Sequence, residues 1–409
     1  MASPLARLLA PDPTYARLVW PLATAQLVSW GSVYYAFTLF LEPMERDLGL
    51  PRTTLTGALM VGLLVAGACA VPVGALIDKG RGRWVMTAGS LGAAALMLAW
   101  SRVETAAGFM AVWCGLGVVL ATTLYEPAFA VLVRTLGPGG RRAIAVTTLM
   151  GGLASTVFLP LIHLLIVEFG WRGALVGLAL CNLVICVPIH LFCLREPAVA
   201  GRPTPAERGT TRGRIGAAVA QPAFWLLAAA FTASLFSVAA IVFHIVPLLS
   251  ARGHGLGAIV AAMTLLGPAQ VAGRLLLTAV AADAGLVLSG MMALGPMLLA
   301  LVLLLMGFQG FWSIALFTVL LGFGNGILTI VRATAVEALF GSAGFGAVSG
   351  TMMMPVVIAR ATAPAAIAWV WAATGGYATA EWLLAAMAVL ALVCYLAGIA
   401  AARPLARES

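Results

Sequence analysis

The sequence has 409 residues, 62% of them hydrophobic and only 9% charged, with a formal net charge of +9. A soluble domain carries roughly 45–50% apolar residues and about 25% charge, so a soluble globular fold is excluded; the mean hydropathy of +1.06 agrees. The positive charge does not point to nucleic acid, which needs a basic face on a soluble domain, because here the cations lie in short segments between apolar runs.

Taken in chain order, the N-terminal stretch MASPLARLLAPDPTYARL lacks the basic, apolar and small-residue regions of a signal peptide. It reads as a short cytoplasmic tail. Twelve apolar runs of membrane-spanning length follow, at about 17–42, 53–77, 84–101, 106–134, 143–168, 172–194, 222–250, 256–282, 285–308, 311–339, 345–373 and 378–402. Many are rich in Gly and Ala, which suits close helix packing in lipid. The segment Arg195–Gly216, Pro- and Gly-punctuated with no apolar period, separates six spans from six. The expected organisation is a first six-helix bundle at 1–194, a cytoplasmic linker at 195–221 and a second bundle at 222–409.

With the N-terminus inside, cations favour the inner segments three to one, placing both termini in the cytoplasm. Lys79 is the one lysine, and there is no Asn-x-Ser/Thr sequon. Both fit an unglycosylated multi-pass protein of a bacterial inner membrane. The six cysteines all fall within apolar runs, where Cys behaves as a small hydrophobe. Cys181, Cys186 and Cys193 share one span, but their spacing matches no metal site. No metal, cofactor or disulfide framework is expected.

The halves resemble each other. Gly115-Leu116-Gly117 corresponds to Gly322-Phe323-Gly324, Asp78 to Asp283, and Gly170-Trp171-Arg172 to Gly375-Gly376-Tyr377, at offsets of 205–207. Two parallel repeats joined by a long inner loop suggest a duplicated six-helix bundle.

Between the second and third spans lies Gly74-Ala75-Leu76-Ile77-Asp78-Lys79, followed by Arg81, Gly82 and Arg83. This resembles the loop motif between helices 2 and 3 of the major facilitator superfamily, with one extra residue before the second Gly. The resemblance implies an all-α membrane protein of twelve transmembrane helices in two pseudo-symmetric six-helix bundles. It also implies a gating role for Gly74, Asp78, Lys79, Arg81 and Arg83. These charges would latch the two halves, with Arg134 at the end of the fourth span as a partner for Asp78. Set against this, the three cations also serve as plain topology signals. Asp283 resembles a second copy of the motif without its basic residues, so its latch should be weaker.

Ionisable residues inside spans are costly and are functional candidates by default. Glu126, Arg274, Arg332 and Arg360 are the clear cases, with three cations against one acid favouring an anionic substrate. By the superfamily's pattern, spans 1, 4, 7 and 10 line a central cavity, which puts Glu126 and Arg332 at similar depth from opposite halves. Arg332 would hold an anionic group while Glu126 pairs with an Arg or carries a proton; a fixed buried ion pair is the competing reading.

Arg274, preceded by Gly273, resembles the substrate-carboxylate Arg of the monocarboxylate porters, as Trp30-Gly31 and Tyr125 with Pro127 resemble their first and fourth helices. Gln270 stands where those porters carry an acid, and the competing reading is snorkelling toward a loop. Trp30 and Tyr34 offer an aromatic wall, Asn325 a polar group and His244 a side chain that titrates near neutrality. The implied function is an alternating-access transporter, not an enzyme, moving a small organic anion, a monocarboxylate, as a symporter or antiporter, coupled to protons or by exchange. It would work as a monomer in the lipid bilayer. The alternative is an efflux pump for amphipathic or cationic compounds, with Glu126 as the charge sensor.

Overall fold

The computed structural model describes Pro13 and residues 15–137, 140–194, 210–280, 285–307 and 310–402. Within these residues the chain is helical, as apolar segments in lipid must be, since helices satisfy their main-chain hydrogen bonds internally. We number the long helices in chain order. In the first half they are α1 (20–48), α2 (Arg52–Leu76), α3 (Gly82–Trp100), α4a (Ala106–Thr123) with α4b (Tyr125–Leu136), α5 (140–169) and α6 (171–193). The second half holds α7 (Pro222–Ala251), α8 (256–280), α9 (Leu286–Met306), α10 (Phe311–Phe340), α11 (Phe345–Thr374) and α12 (Ala378–Ala401).

Nine helical stretches of the described residues are long and apolar enough to cross a membrane. Two of these, Thr53–Trp100 and Arg142–Cys193, contain a glycine reversal and so hold two spans each. The remaining span is α1, which is widened by a π-helical turn at Trp30–Tyr35.

The chain forms two compact units. One comprises Leu8–Ile215 together with Gly341–Thr351; the other includes Gly216–Phe340 and Met352–Ser409. The first is centred on Phe37, Phe40, Trp100, Phe109 and Trp113, whose rings meet at 5.0–6.4 Å between centroids. Trp100 donates its indole N–H to Met44 Sδ at 3.1 Å. In the second, the fully buried Tyr395 of α12 lies over Gly290 of α9 and donates to the Leu286 carbonyl at 2.9 Å. Large apolar side chains such as Phe169, Trp312, Trp369 and Trp382 point outward, as expected of a surface that lipid covers.

Three local features depart from the expected elements. The α1 helix runs to Leu48, through Pro43 and four charged residues, and ends at Gly49 with φ +62. Part of the expected linker is helical: Thr211–Val219 starts from Thr210, whose Oγ1 accepts from the Gly213 N–H at 3.1 Å. The fourth span is two helices, because Leu124 leaves helical geometry at φ −83 and ψ −158. Residues 195–209, the rest of the expected linker, lie outside the described residues, as does Asp283.

Candidate functional site

The charged stretch after α2 is a chain reversal. Gly80 takes φ +82, which only glycine adopts without strain, and Asp78 sits in this turn between the two spans. Its carboxylate accepts from two main-chain amides, Gly346 N–H to Oδ1 at 3.0 Å and Ala347 N–H to Oδ2 at 2.9 Å. These amides open α11, so Asp78 caps that helix from far away in sequence and sets negative charge at its positive end. Burial raises the Asp78 carboxyl above its ordinary value; the two amides, Arg214 and Arg134 pull it down without cancelling that effect.

Arg134, in the last turn of α4b, donates to the main-chain carbonyl of Asp78, while the carboxylate faces α11. Lys79 and Arg81 are exposed, and Arg83 is half-buried with its guanidinium 5.0 Å from the Trp84 ring centroid.

The cap requires α2 and the start of α11 to touch backbone to backbone. A Cβ built on Gly74 would lie 2.1 Å from the Gly346 carbonyl oxygen, and one on Gly350 would lie 2.7 Å from that of Ala70. Ala70 and Gly74 are one turn apart, as are Gly346 and Gly350, giving two small-x-x-x-small faces in contact. Close by, Glu126 lies half-buried in the first turn of α4b, where a carboxylate complements the helix dipole. Its Oε2 accepts from Ser349 Oγ of the same α11 segment at 3.1 Å.

Trp30 stands in the π-helical turn of α1 with Tyr34, Tyr35 and Tyr125 around it, at centroid distances of 5.2, 6.2 and 4.7 Å. Tyr125 stacks on Phe129 and donates to the Thr148 carbonyl at 3.4 Å. π-Helical turns recur at functional positions, and this one sits where the aromatic side chains gather.

In the second unit Arg274 is 4% exposed. Its Nε donates to the Gly326 carbonyl and one terminal nitrogen to Gln270 Oε1, both at 3.4 Å. Among the described residues the other terminal nitrogen is buried without a partner, and the oxygens that reach this guanidinium are neutral. Arg332, Arg360 and Asn325 are half-buried. His244 on α7 is engaged elsewhere: Nε2 donates to the Pro364 carbonyl at 2.8 Å and Nδ1 faces the Tyr377 hydroxyl at 3.3 Å. Since a carbonyl only accepts, Nε2 carries the proton. Among the described residues no group of three or more His, Cys, Asp or Glu side chains comes together as a metal site, and the six cysteines are free thiols.

The sequence matches the profile of the Major Facilitator Superfamily over residues 22–300. The chain belongs to the Major Facilitator Superfamily. Its fold is similar to that of the E. coli fucose:proton symporter FucP, at 15% identity and a TM-score of 0.70, covering 93% of this chain and 98% of that one. It is also similar to the human organic anion transporter MFSD10, at 17% identity and TM-score 0.72, covering 95% and 100%. The proton:xylose symporter XylE gives 10% identity and TM-score 0.71, covering 92% and 95%. No curated protein matches the sequence itself.

As a member of this superfamily the chain is a multi-pass membrane transporter with the twelve-helix fold. Three groupings of the candidate residues emerge: Gly74, Asp78 and Arg134 in one, Trp30 and Tyr34 in a second, Arg274 with Gln270 in a third. The start of α11 was not legible as part of any of them, although the spacing Gly346-x-x-x-Gly350 is the signal that would have found it. Gln26 of α1, whose Nε2–H donates to the Thr123 carbonyl at 2.6 Å, is marked by nothing in its sequence context.

Proposed function

We propose that this Major Facilitator Superfamily chain is a secondary active transporter for a small organic anion, a monocarboxylate, moved across a bacterial inner membrane by alternating access. Transport is proton-coupled or by exchange, and both termini are cytoplasmic. The single observation that carries the substrate class is Arg274. A guanidinium removed from water costs several kcal/mol unless a charge compensates it, and among the described residues its partners are two neutral oxygens. A carboxylate arriving at the partnerless nitrogen supplies that compensation by a charge-assisted hydrogen bond. The fold does not decide the matter, since it serves a fucose symporter and an organic anion transporter alike.

Arg332 is assigned a supporting role toward the anion, with Trp30, Tyr34, Asn325, His244 and Arg360 as further candidates around the path. Glu126 is the acid that pairs with an Arg or carries the coupled proton. The Asp78 cap on α11 is assigned the part of a gate latch: its two hydrogen bonds and the Gly74–Gly346 contact must separate for the cytoplasmic end to open.

The test is a melting-temperature panel on the full chain in detergent, with pyruvate, lactate and benzoate against tetraphenylphosphonium. A ligand that binds the folded state raises the melting temperature by mass action. Stabilisation by a carboxylate, lost in Arg274→Gln, supports the proposal. Stabilisation by tetraphenylphosphonium alone, lost in Glu126→Gln, replaces it with an efflux pump for amphipathic or cationic compounds.

A further inference from the structure

The break in the fourth span has a chemical consequence. Within a continuous helix the Thr123 carbonyl would accept from the N–H four residues on. That residue is Pro127, which has no N–H. Proline is comfortable in the first turn of α4b, where amides are unpaired in any case, but it leaves the Thr123 oxygen without its helical donor in the middle of the bundle. The donor comes from α1: Gln26 Nε2–H reaches the Thr123 carbonyl at 2.6 Å.

Gln26 is completely buried, and its other amide atom, Oε1, has no hydrogen-bond partner among the described residues. A side chain kept for packing alone would be an apolar one of the same length, since a buried amide oxygen without a donor is destabilising. What the position retains is the N–H. We infer that Gln26 is a positioning residue: its amide stands in for the missing N–H of Pro127 and holds the fourth span in its broken form. The break starts α4b at Tyr125, so it determines where Glu126 is presented in the first turn and where Tyr125 meets Trp30. The role given to Glu126 rests on the proposed function; the stand-in itself does not.

The dependence is directional, and this makes it testable without a substrate. In Gln26→Met the shape is nearly kept and the donor lost. In Pro127→Ala the missing N–H is restored at its helical place. Hydrogen exchange of the full-length protein in detergent, followed by mass spectrometry on the peptides covering 118–130, is the readout. Gln26→Met should exchange faster there by about tenfold, as loss of one buried hydrogen bond implies. Adding Pro127→Ala to Gln26→Met should return exchange to the native rate or below.

A packing role predicts no such rescue, because an alanine at 127 does nothing for the volume around residue 26. Unchanged exchange in Gln26→Met overturns the inference, and so does a double variant that exchanges as fast as Gln26→Met. If Gln26→Met proves too unstable to purify, recovery of folded protein in the double variant is the supporting result and its failure the opposing one. Carboxylate binding is absent from this readout, so an unsuccessful ligand panel leaves it intact.

Discussion

Asp78 and Gly346 are 268 residues apart in sequence, yet the carboxylate of one accepts the backbone N–H of the other at 3.0 Å. The adjoining amide of Ala347 completes a two-point cap on α11. Replacing a capping carboxylate with Ala costs about 0.5–2 kcal/mol, so Asp78→Ala should lower the melting temperature and speed hydrogen exchange at the start of α11. Exchange in α12 should remain unchanged.

The same carboxyl makes a pH prediction. Its folded value lies above its unfolded value because burial outweighs the amides and the arginines. The native state therefore holds the proton to higher pH than the unfolded chain does. The stability this group contributes is complete below the ordinary aspartate value and is lost as pH rises through the raised one. Melting curves recorded from acid toward neutral pH should show that slope in the native chain and a flatter one in Asp78→Asn.

Gly74 tests the backbone contact behind the cap. A methyl group there would stand 2.1 Å from the Gly346 carbonyl oxygen, so Gly74→Ala forces α2 and α11 apart. Overpacking of this kind costs about 1–3 kcal/mol. Gly57, on the same helix, has nothing within 4 Å of a built Cβ, and Gly57→Ala should be neutral or slightly stabilising. Differential scanning of the two variants side by side checks the contrast.

Arg274→Met should stabilise the ligand-free protein, on the order of 1 kcal/mol and seen as a higher melting temperature, by removing a buried charge whose partners among the described residues are neutral oxygens. The same change should abolish any carboxylate-induced shift. A fall in ligand-free stability would show that the two neutral hydrogen bonds outweigh the burial of the charge.

Arg252 and Glu381 form an ion pair at one end of the second bundle, with the Glu side chain 5% exposed and the Arg also bonded to the Leu304 carbonyl at 3.0 Å. Losing one member strands the other, a cost of about 3–5 kcal/mol, so Arg252→Ala should destabilise strongly. The Arg46–Glu42 pair on α1 is open to solvent on both sides, and Glu42→Ala should leave the melting temperature almost unmoved.

The composition and the spacing of apolar runs were enough to determine that the chain spans a membrane twelve times, because hydropathy and main-chain satisfaction in lipid are properties of local sequence. The duplication was legible too. Left-handed glycines recur at Gly49 and Gly253, Gly137 and Gly341, and Gly170 and Gly375, at offsets of 204 or 205. At these three pairs of span ends both repeats turn through a glycine of positive φ.

The contacts that make up the candidate site were decided only by the tertiary structure. Asp78 stands out in the sequence as the carboxylate of the loop motif, but a lone carboxylate does not announce that its partner is a helix terminus, because main-chain amides look alike at every position. The break at Leu124 and the buried amide of Gln26 were hidden for a related reason. Pro127 shows that a donor is missing, and only the packing of α1 against α4 shows which side chain replaces it.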